Sequence, residues 1–398
     1  MRRSAARPAG ATTLGAVTVT GTPTAFRRDG PTLALYAALC VFGALQVLPG
    51  TVTPQLRDEL GYGYGQAGLH LSAYAVGSVA AGLAGPGLDR RLGRRTLLAG
   101  GLAGAALSAG ALTLGRGLPA TLAAALGIGV LGTLVLGVVQ AGLSDHHGPH
   151  RAVAFSESNV LASLGATSAP LLVGAAGAVA GSWRVGVLAL AAACLLVAVL
   201  ARGAVLPAGE VPGTTGSARS LPAAARAGVA LVFCGVVVEW SVGYWGATYL
   251  RDEVGLSTSL AVSAMTCFFL AMLVGRVAGG LLVRTRDAAG LVRAALGLAA
   301  AGVVVQAAGT DPRVALPGLM LLGLGASVLF PLGLALAAAH APGRSALVSS
   351  RCITTGGLAV LLGPLVVGGL ADLVGLRAAL LVLPLALAGA AGALRRVR

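Results

Sequence analysis

The stretch "LRDELG" at Leu56–Gly61 recurs as "LRDEVG" at Leu250–Gly255, 194 residues further along the chain. The stretch "PLLVG", which begins at Pro170, recurs at the same offset as "PLVVG", which begins at Pro364. Single residues follow the offset as well: Cys40 with Cys234, and Gly129 with Gly323. Two motifs that share one offset indicate that the chain contains an internal duplication.

The composition indicates that both copies lie in a membrane. Of 398 residues, 56% are hydrophobic and only 10% are charged, and the mean hydropathy is +0.88. A helix needs about 20 apolar residues to cross the hydrocarbon layer, and the abundant glycine and alanine let such helices pack closely in lipid. Scanning for stretches of this length predicts twelve spans: residues 31–54, 65–86, 96–115, 119–143, 152–181, 185–206, 226–250, 257–283, 288–309, 314–339, 346–371 and 376–394.

The duplication and the spans together predict an all-α membrane protein of twelve transmembrane helices, built as two six-helix bundles in parallel repeat. We expect residues 1–30, rich in Thr, Gly and Pro, to form a disordered cytoplasmic tail. The N-terminal bundle is predicted over residues 31–206, a cytoplasmic linker over 207–222, and the C-terminal bundle with a short basic tail over 223–398.

The distribution of positive charge predicts the orientation. All 28 basic residues are arginines; 21 fall in segments on the side of the N-terminus, six in the opposite loops and one inside a span. Because cytoplasmic loops carry the excess of positive charge, both termini are predicted to be cytoplasmic, with the protein in the cytoplasmic membrane. Contact with anionic headgroups then accounts for the net charge of +15 without a nucleic-acid partner.

The architecture also restricts the function. Two related bundles place a cavity on the axis between them at mid-membrane, and rocking one bundle against the other exposes that cavity to alternate sides, which predicts a transporter. The alternative is a non-transporting scaffold or sensor. Nothing in the sequence resembles a hydrolytic site, and a chain without lysine cannot form a phosphate-binding P-loop. We therefore predict no enzymatic activity, no cofactor and no metal.

The loop between the second and third spans, "GPGLDRRLGRRTLL", resembles the Gly-x-x-x-Asp-Arg-x-Gly-Arg-Arg signature of the major facilitator superfamily, although Asp89 and Gly93 are one residue further apart than usual. The resemblance implies the twelve-helix fold of that family and a loop that helps to close the inward gate. The residues that would carry this role are Asp89, Arg90, Gly93 and Arg94.

A carboxylate in the seventh span is the first candidate site residue. Glu239 lies in "VVVEWSVGYW", where a charge at the bilayer centre costs about 2.5–3.5 kcal/mol. Its counterpart in the first repeat is Leu45, so the fold does not require a carboxylate there. Helical geometry places Trp240 and Tyr244 on one side of Glu239 and Trp245 on the other, which suits a cavity that binds a solute and a proton. The alternative is a glycine stripe for close helix packing, with the aromatic side chains of Trp245 and Tyr249 near the membrane surface.

A second resemblance supports the first interpretation. The segment "EWSVGYWGATYL" resembles the seventh span of the fucose-permease-like branch of the superfamily, whose members are mostly proton symporters of small polar solutes. Gln46, a polar residue in the first span, either lines the cavity or satisfies a backbone carbonyl of a neighbouring helix.

Two further charges within spans are candidate gate residues. Glu157 and Arg276 lie at similar depths in the fifth and eighth spans, which face each other in the superfamily, so the two side chains could form an ion pair that closes the cytoplasmic side. The alternative is that Arg276 extends to the headgroups and Glu157 is solvated. Arg351, the counterpart of Glu157 in the second repeat, could contact the Asp89 loop in the same manner.

Together these observations predict a secondary active transporter, coupled to protons, that moves a small organic solute by alternating access. Proton-driven efflux of amphipathic or drug-like compounds is the alternative within transport, and a membrane sensor is the alternative outside it. The expected partners are the solute, the proton and the lipid bilayer, and we expect a monomer.

Overall fold

The computed structural model describes residues 26–203, 220–342 and 344–397. Within these ranges, twelve helices are long and apolar enough to cross a membrane, as predicted. We number them α1 (Gly30–Leu60), α2 (Tyr64–Leu92), α3 (Arg94–Leu114), α4 (Leu118–His147), α5 (Val153–Val179), α6 (Trp183–Ala201), α7 (Ala223–Asp252), α8 (Thr258–Leu282), α9 (Ala288–Ala308), α10 (Pro312–Ala339), α11 (Leu347–Val374) and α12 (Leu376–Arg396).

Helices α1–α6 form the N-terminal bundle and α7–α12 the C-terminal bundle. We call the side of Gly30 and Arg396 the termini face, and the side of Gly61 and Gly255 the opposite face. Most of the predicted linker and most of the predicted tail lie outside the described residues.

The repeated motif that begins at Leu56 has a local structural reason. In the first copy, a break at Val52 is followed by a short helix over Thr53–Leu60, which ends at Gly61 with φ 67°. The second copy ends at Gly255 with φ 78°. Glycine adopts these left-handed conformations without steric cost, whereas other residues rarely do. Both copies therefore end a helix at the opposite face and turn the chain toward the next span.

The repeated glycines mark close helix approaches inside each bundle. A Cβ atom on Gly323 of α10 would lie 2.6 Å from the carbonyl oxygen of Phe268 in α8. In the first repeat, a Cβ atom on Gly129 of α4 would overlap the carbonyl group of Tyr74 in α2. Tyr74 and Phe268 occupy equivalent repeat positions. The same backbone contact therefore joins α2 to α4 in the first repeat and α8 to α10 in the second.

The two bundles meet chiefly along two helix pairs, α2 with α11 and α5 with α8. Ser72 of α2 donates a hydrogen bond to the Leu361 carbonyl of α11, at 3.1 Å. A Cβ atom on Gly174 of α5 would lie 2.5 Å from the carbonyl oxygen of Ser259 in α8. These pairs border the space in which the candidate site lies.

Residues 26–29, the last of the predicted tail, contact the N-terminal bundle. Asp29 accepts a hydrogen bond from the Thr32 backbone amide and caps α1, and its Oδ2 atom lies 2.6 Å from His146 Nε2. Partial burial by itself would raise the pKa of Asp29, but the hydrogen bonds from Thr32 and His146 outweigh it and lower the pKa to about 2. The bundle thus begins with an ordered cap, where the sequence predicted the end of a disordered tail.

Candidate functional site

A cavity lies between the bundles at mid-depth. Its empty volume is about 550 Å³, part of which is open to solvent. Both bundles contribute to its wall. The lining residues are Gln46, Val47, Gly50, Leu71, Ser163, Ala166, Glu239, Trp240, Gly243, Tyr244, Phe269, Met272 and Arg276. The sequence prediction named four of these as solute- or proton-binding residues: Gln46, Glu239, Trp240 and Tyr244.

The polar centre of the cavity is an ion pair. Arg276 Nη2 of α8 donates to Glu239 Oε1 of α7 at 2.9 Å. Arg276 Nη1 donates to the Ser163 hydroxyl of α5, in the other bundle, at 3.1 Å. The Glu239 side chain is 17% exposed and that of Arg276 is 42% exposed. The pair therefore faces the cavity, and it also links the two bundles through Ser163.

Two aromatic side chains form one wall of the cavity and are held by the N-terminal bundle. The Trp240 ring stacks on Tyr74 of α2, with 6.4 Å between the ring centroids. The Tyr244 hydroxyl donates to the Ala67 carbonyl of α2. A Cβ atom on Gly50 of α1 would lie 2.8 Å from the Cα atom of Tyr244, so the backbones of α1 and α7 are in close contact at the cavity edge.

The prediction that Trp245 lines the cavity is wrong. Trp245 is fully buried, and its indole N–H donates to the Pro364 carbonyl of α11 at 2.8 Å. Tyr249 is also buried rather than placed at the membrane surface, and its hydroxyl donates to the Gln306 carbonyl at 2.9 Å. The predicted glycine stripe exists in part, because Gly246 packs against Met265. One side of α7 therefore faces the cavity and the other packs inside the C-terminal bundle.

The structure does not bring Glu157 and Arg276 together. Arg28 Nε donates to Glu157 at 2.9 Å and the Tyr36 hydroxyl donates to it at 3.1 Å, both from the N-terminal bundle. Arg276 instead bonds to Glu239 and Ser163. Neither predicted alternative for Arg276 holds, because the side chain turns into the cavity and does not reach toward the headgroups.

The Asp89 loop also contacts its own bundle. Arg94 Nε lies 3.3 Å from Asp89, and Arg94 Nη1 lies 2.8 Å from Asp145 at the end of α4. Gly93, with φ 77°, forms the one-residue turn between α2 and α3. Arg90 and Arg351 are exposed, and within the described ranges Asp89 forms no ion pair with Arg351.

The opposite face carries a set of contacts that the sequence analysis did not identify. Arg57 of the first motif copy pairs with Asp252 of the second at 2.6 Å. Conversely, Arg251 of the second copy pairs with Asp58 of the first. The Tyr64 hydroxyl donates to Asp252 at 2.8 Å. We call the four charged residues the reciprocal ion pairs.

Asp372 of α11 strengthens the same junction. Its two oxygens accept hydrogen bonds from the backbone amides of Tyr64, at 2.7 Å, and Gly65, at 2.8 Å, at the start of α2. A carboxylate at a helix N-terminus is favoured by the helix dipole and the free amides there. The repeated Arg-Asp dipeptide was the available signal for this face. Across a pseudo-twofold axis, the arginine of each copy can pair with the aspartate of the other.

Histidines at the termini face are held by neighbouring side chains. His147 Nε2 lies 2.9 Å from the Thr32 hydroxyl, next to the contact between His146 and Asp29. In the described part of the chain, no group of three or more His, Cys, Asp or Glu side chains is placed to hold a metal ion.

Comparisons with known proteins give a family and a fold. A sequence profile of the Major Facilitator Superfamily matches residues 34–316. A bacterial homologue of the human lysosomal transporter Spinster, in an inward-facing and occupied conformation, aligns with a TM-score of 0.74 at 15% identity, covering 92% of this chain and 96% of that one.

Two further solved structures have the same fold. The nucleoside transporter NupG aligns with a TM-score of 0.71 at 13% identity, over 92% of this chain and 98% of that one. A D-xylose-proton symporter aligns with a TM-score of 0.68 at 16% identity, over 89% and 96%. Comparison with curated protein sequences gives no significant match.

Proposed function

The chain belongs to the Major Facilitator Superfamily, and from that premise we propose that it is a proton-coupled secondary active transporter of a small organic solute. Membership and the twelve spans make it a multi-pass membrane transporter, not an enzyme. Proteins of the same fold include one described as a nucleoside transporter and one described as a D-xylose-proton symporter. Their fold supports alternating access, whereas proton coupling and solute binding depend on this chain's own residues.

The observation that carries the proposal is the pair of Glu239 and Arg276 in the cavity wall. A carboxylate at mid-depth is stable when it is paired, and it can become neutral by binding a proton when the pair separates. Arginine stays charged under all physiological conditions. Glu239 is therefore the group that carries the proton, and Arg276 is the group whose position responds to it.

The two ends of the cavity differ in a manner that fits alternating access. Toward the opposite face, the reciprocal ion pairs and Asp372 join the bundles. Toward the termini face, Glu157 and Asp89 contact their own bundle and Arg351 is exposed. We assign this conformation to the state closed at the opposite face. In the other state, Glu157, Arg351 and the Asp89 loop with Arg90, Gly93 and Arg94 would contact the other bundle.

The excess of arginine in the loops of the termini face supports a cytoplasmic location for that face. The cavity then exchanges with the cytoplasm in the present conformation, and the reciprocal ion pairs lie at the outer surface of the cytoplasmic membrane.

Proton flux in proteoliposomes tests the proposal. We expect solute-dependent proton movement in the wild type, screened with sugars, organic acids and cationic dyes, and loss of that movement in Glu239→Gln. Glu59→Gln is the matched control, since Glu59 is also an ion-paired carboxylate but bonds to Arg184 within the N-terminal bundle and does not line the cavity. Coupled flux that persists in Glu239→Gln would refute the proton role of Glu239. Lower accumulation of a cationic dye would instead favour efflux.

A further inference from the structure

The charges of the cavity restrict the solutes that it can bind. Among the described lining residues, Glu239 and Arg276 are the two with formal charge, and they neutralise each other. A charged solute must therefore replace one member of the pair, because a buried charge needs a partner. The chemistry of the two groups decides which member it replaces.

Replacement of Glu239 is the less costly exchange. If an anion bonds to Arg276, the displaced carboxylate of Glu239 can bind a proton and become neutral. If a cation instead bonds to Glu239, the displaced guanidinium of Arg276 cannot lose its charge. When an anion takes the place of Glu239, no unpaired charge remains in the cavity. When a cation takes the place of Arg276, the guanidinium remains as an unpaired charge.

The geometry favours the same exchange. Arg276 is the more exposed member, at 42% against 17%. A guanidinium has five N–H groups in a planar fork, and the contacts to Glu239 and Ser163 use one on each terminal nitrogen. A carboxylate is the partner that such a fork binds in bidentate fashion. Ser163 holds the fork from the N-terminal bundle, so an anion on Arg276 would lie between the two bundles.

The other titratable groups around Glu239 do not compete for this role. Tyr244, on the same helix, donates its hydroxyl to the Ala67 carbonyl. Tyr74 of α2 lies behind Trp240, against which it stacks. The charged partner that faces Glu239 is Arg276 of α8.

We propose that the solute is a small organic carboxylate, which bonds to Arg276 in place of Glu239 while Glu239 binds one proton. This inference rests on the proposed transport function and names the substrate class of the same site. The exchange balances: the ion pair of Glu239 with Arg276 breaks, an ion pair of the carboxylate with Arg276 forms, and one proton from solution adds to a Glu239 oxygen. The rings of Trp240 and Phe269 would contact the apolar part of the anion.

Equilibrium binding tests the solute class without requiring transport. The probes are acetate, lactate, benzoate and nicotinate, each compared with its neutral amide, with benzamidine as the cationic counterpart of benzoate. Calorimetry of the purified full-length protein in buffers of different ionisation enthalpy measures affinity and proton uptake together. We expect at least one carboxylate to bind at least tenfold more tightly than its amide, with uptake of one proton.

Two variants separate the roles of the pair. Arg276→Gln is expected to lose the preference for the carboxylate over its amide. Glu239→Gln mimics the protonated carboxyl, so it is expected to bind the anion at least as tightly as the wild type, with an affinity that no longer depends on pH between about 5 and 8. Retained or tighter binding of the anion cannot arise from misfolding.

The possible results distinguish failure of the carboxylate assignment from failure of the proposed transport function. If no carboxylate binds more tightly than its amide, or if benzamidine binds and Glu239→Gln abolishes that binding, the inference is overturned while proton-coupled transport still stands. If a carboxylate binds with proton uptake but no solute drives proton flux in proteoliposomes, the inference is supported and the proposed transport function fails.

Discussion

Replacing Arg57 with alanine is expected to open the opposite face far more than replacing Arg251, although the repeat gives the two arginines equivalent positions. Arg57 pairs with Asp252 at 2.6 Å, and these side chains are only 15% and 17% exposed. Arg251 pairs with Asp58, and those side chains are 27% and 41% exposed. The environment of the two pairs therefore differs, while their sequence does not.

The expected magnitudes follow from the contacts that cross between the bundles. Arg57 also bonds to the Tyr62 carbonyl and lies over the Tyr64 ring, at 3.6 Å from the centroid. These two contacts are within the N-terminal bundle and move with it, so only the bond to Asp252 counts toward closure. A hydrogen bond to a charged group contributes about 1.5–3 kcal/mol. Since about 1.4 kcal/mol changes an equilibrium constant tenfold, Arg57→Ala should raise the ratio of open to closed states about 12- to 140-fold.

The second pair is expected to contribute less to closure. A solvent-exposed ion pair contributes about 0.2–1 kcal/mol, and the bond from Arg251 to the Pro54 carbonyl is long, at 3.4 Å. Arg251→Ala should therefore change the open fraction only about 1.4- to 5-fold. Arg251→Ala is thus the matched control for Arg57→Ala.

Distance measurement by electron spin resonance provides the assay. Arg116 and Thr310 are exposed at the opposite face on different bundles, and cysteines at these positions carry the spin labels. The five native cysteines must first be replaced. The population at longer distance should grow much more with Arg57→Ala than with Arg251→Ala. Equal effects of the two arginine variants would refute the argument from burial.

Three further predictions concern packing, the α1 cap and the aromatic residues of α7. Gly323→Ala places a methyl group 2.6 Å from the Phe268 carbonyl oxygen and should destabilise the protein by about 1–3 kcal/mol in detergent unfolding assays. Gly297→Ala, which meets no atom within 4 Å, should leave the stability unchanged or slightly raised; equal effects would contradict the packing argument. Because the folded pKa of Asp29, about 2, lies below its ordinary value of 3.8, its stabilisation is present above pH 4 and is lost as the pH falls through 2. The thermal stability of Asp29→Asn should therefore lie below that of the wild type at neutral pH and converge with it near pH 2; a constant difference would exclude the charge as the cause. Trp245→Phe removes the indole hydrogen bond to the Pro364 carbonyl and leaves a cavity at a fully buried position, so it should cost about 1–3 kcal/mol of stability. Trp240→Phe should instead weaken binding of an aromatic carboxylate with little loss of stability, and the reverse pattern would show that the cavity wall is wrongly assigned.

Much of the candidate site could be predicted because Glu239 breaks a local pattern. A carboxylate among apolar residues is visible without any knowledge of the neighbouring helices. Trp240 and Tyr244 followed from helical geometry around Glu239, and Gln46 was a candidate as a polar residue within the first span. Trp245 was predicted wrongly because helical geometry gives only the angle between side chains. Whether a given angle faces a cavity or a neighbouring helix depends on the rotation of α7 within its bundle, and here Trp245 faces α11.

The partners of the charged residues could not be predicted for a related reason. Similar depth in two facing spans made Glu157 and Arg276 a reasonable pair, but depth fixes only one of three coordinates. The structure supplies the others: Arg28 from the chain preceding α1 reaches Glu157, and Glu239 on the adjacent helix reaches Arg276. Ser163, an ordinary residue in an apolar span, became part of the site only through its contact with Arg276.

The sequence by itself determined the number of spans, the duplication and the presence of a charge within the membrane. These properties depend on local composition and on repetition along the chain, which the bilayer and helical geometry translate directly into structure. Only the tertiary structure decided which charges pair, which aromatic residues line the cavity and which face is closed. Those properties depend on rotations and distances between helices that are distant in sequence, as the reciprocal ion pairs illustrate: one motif written twice becomes a junction only when the two bundles bring its copies together.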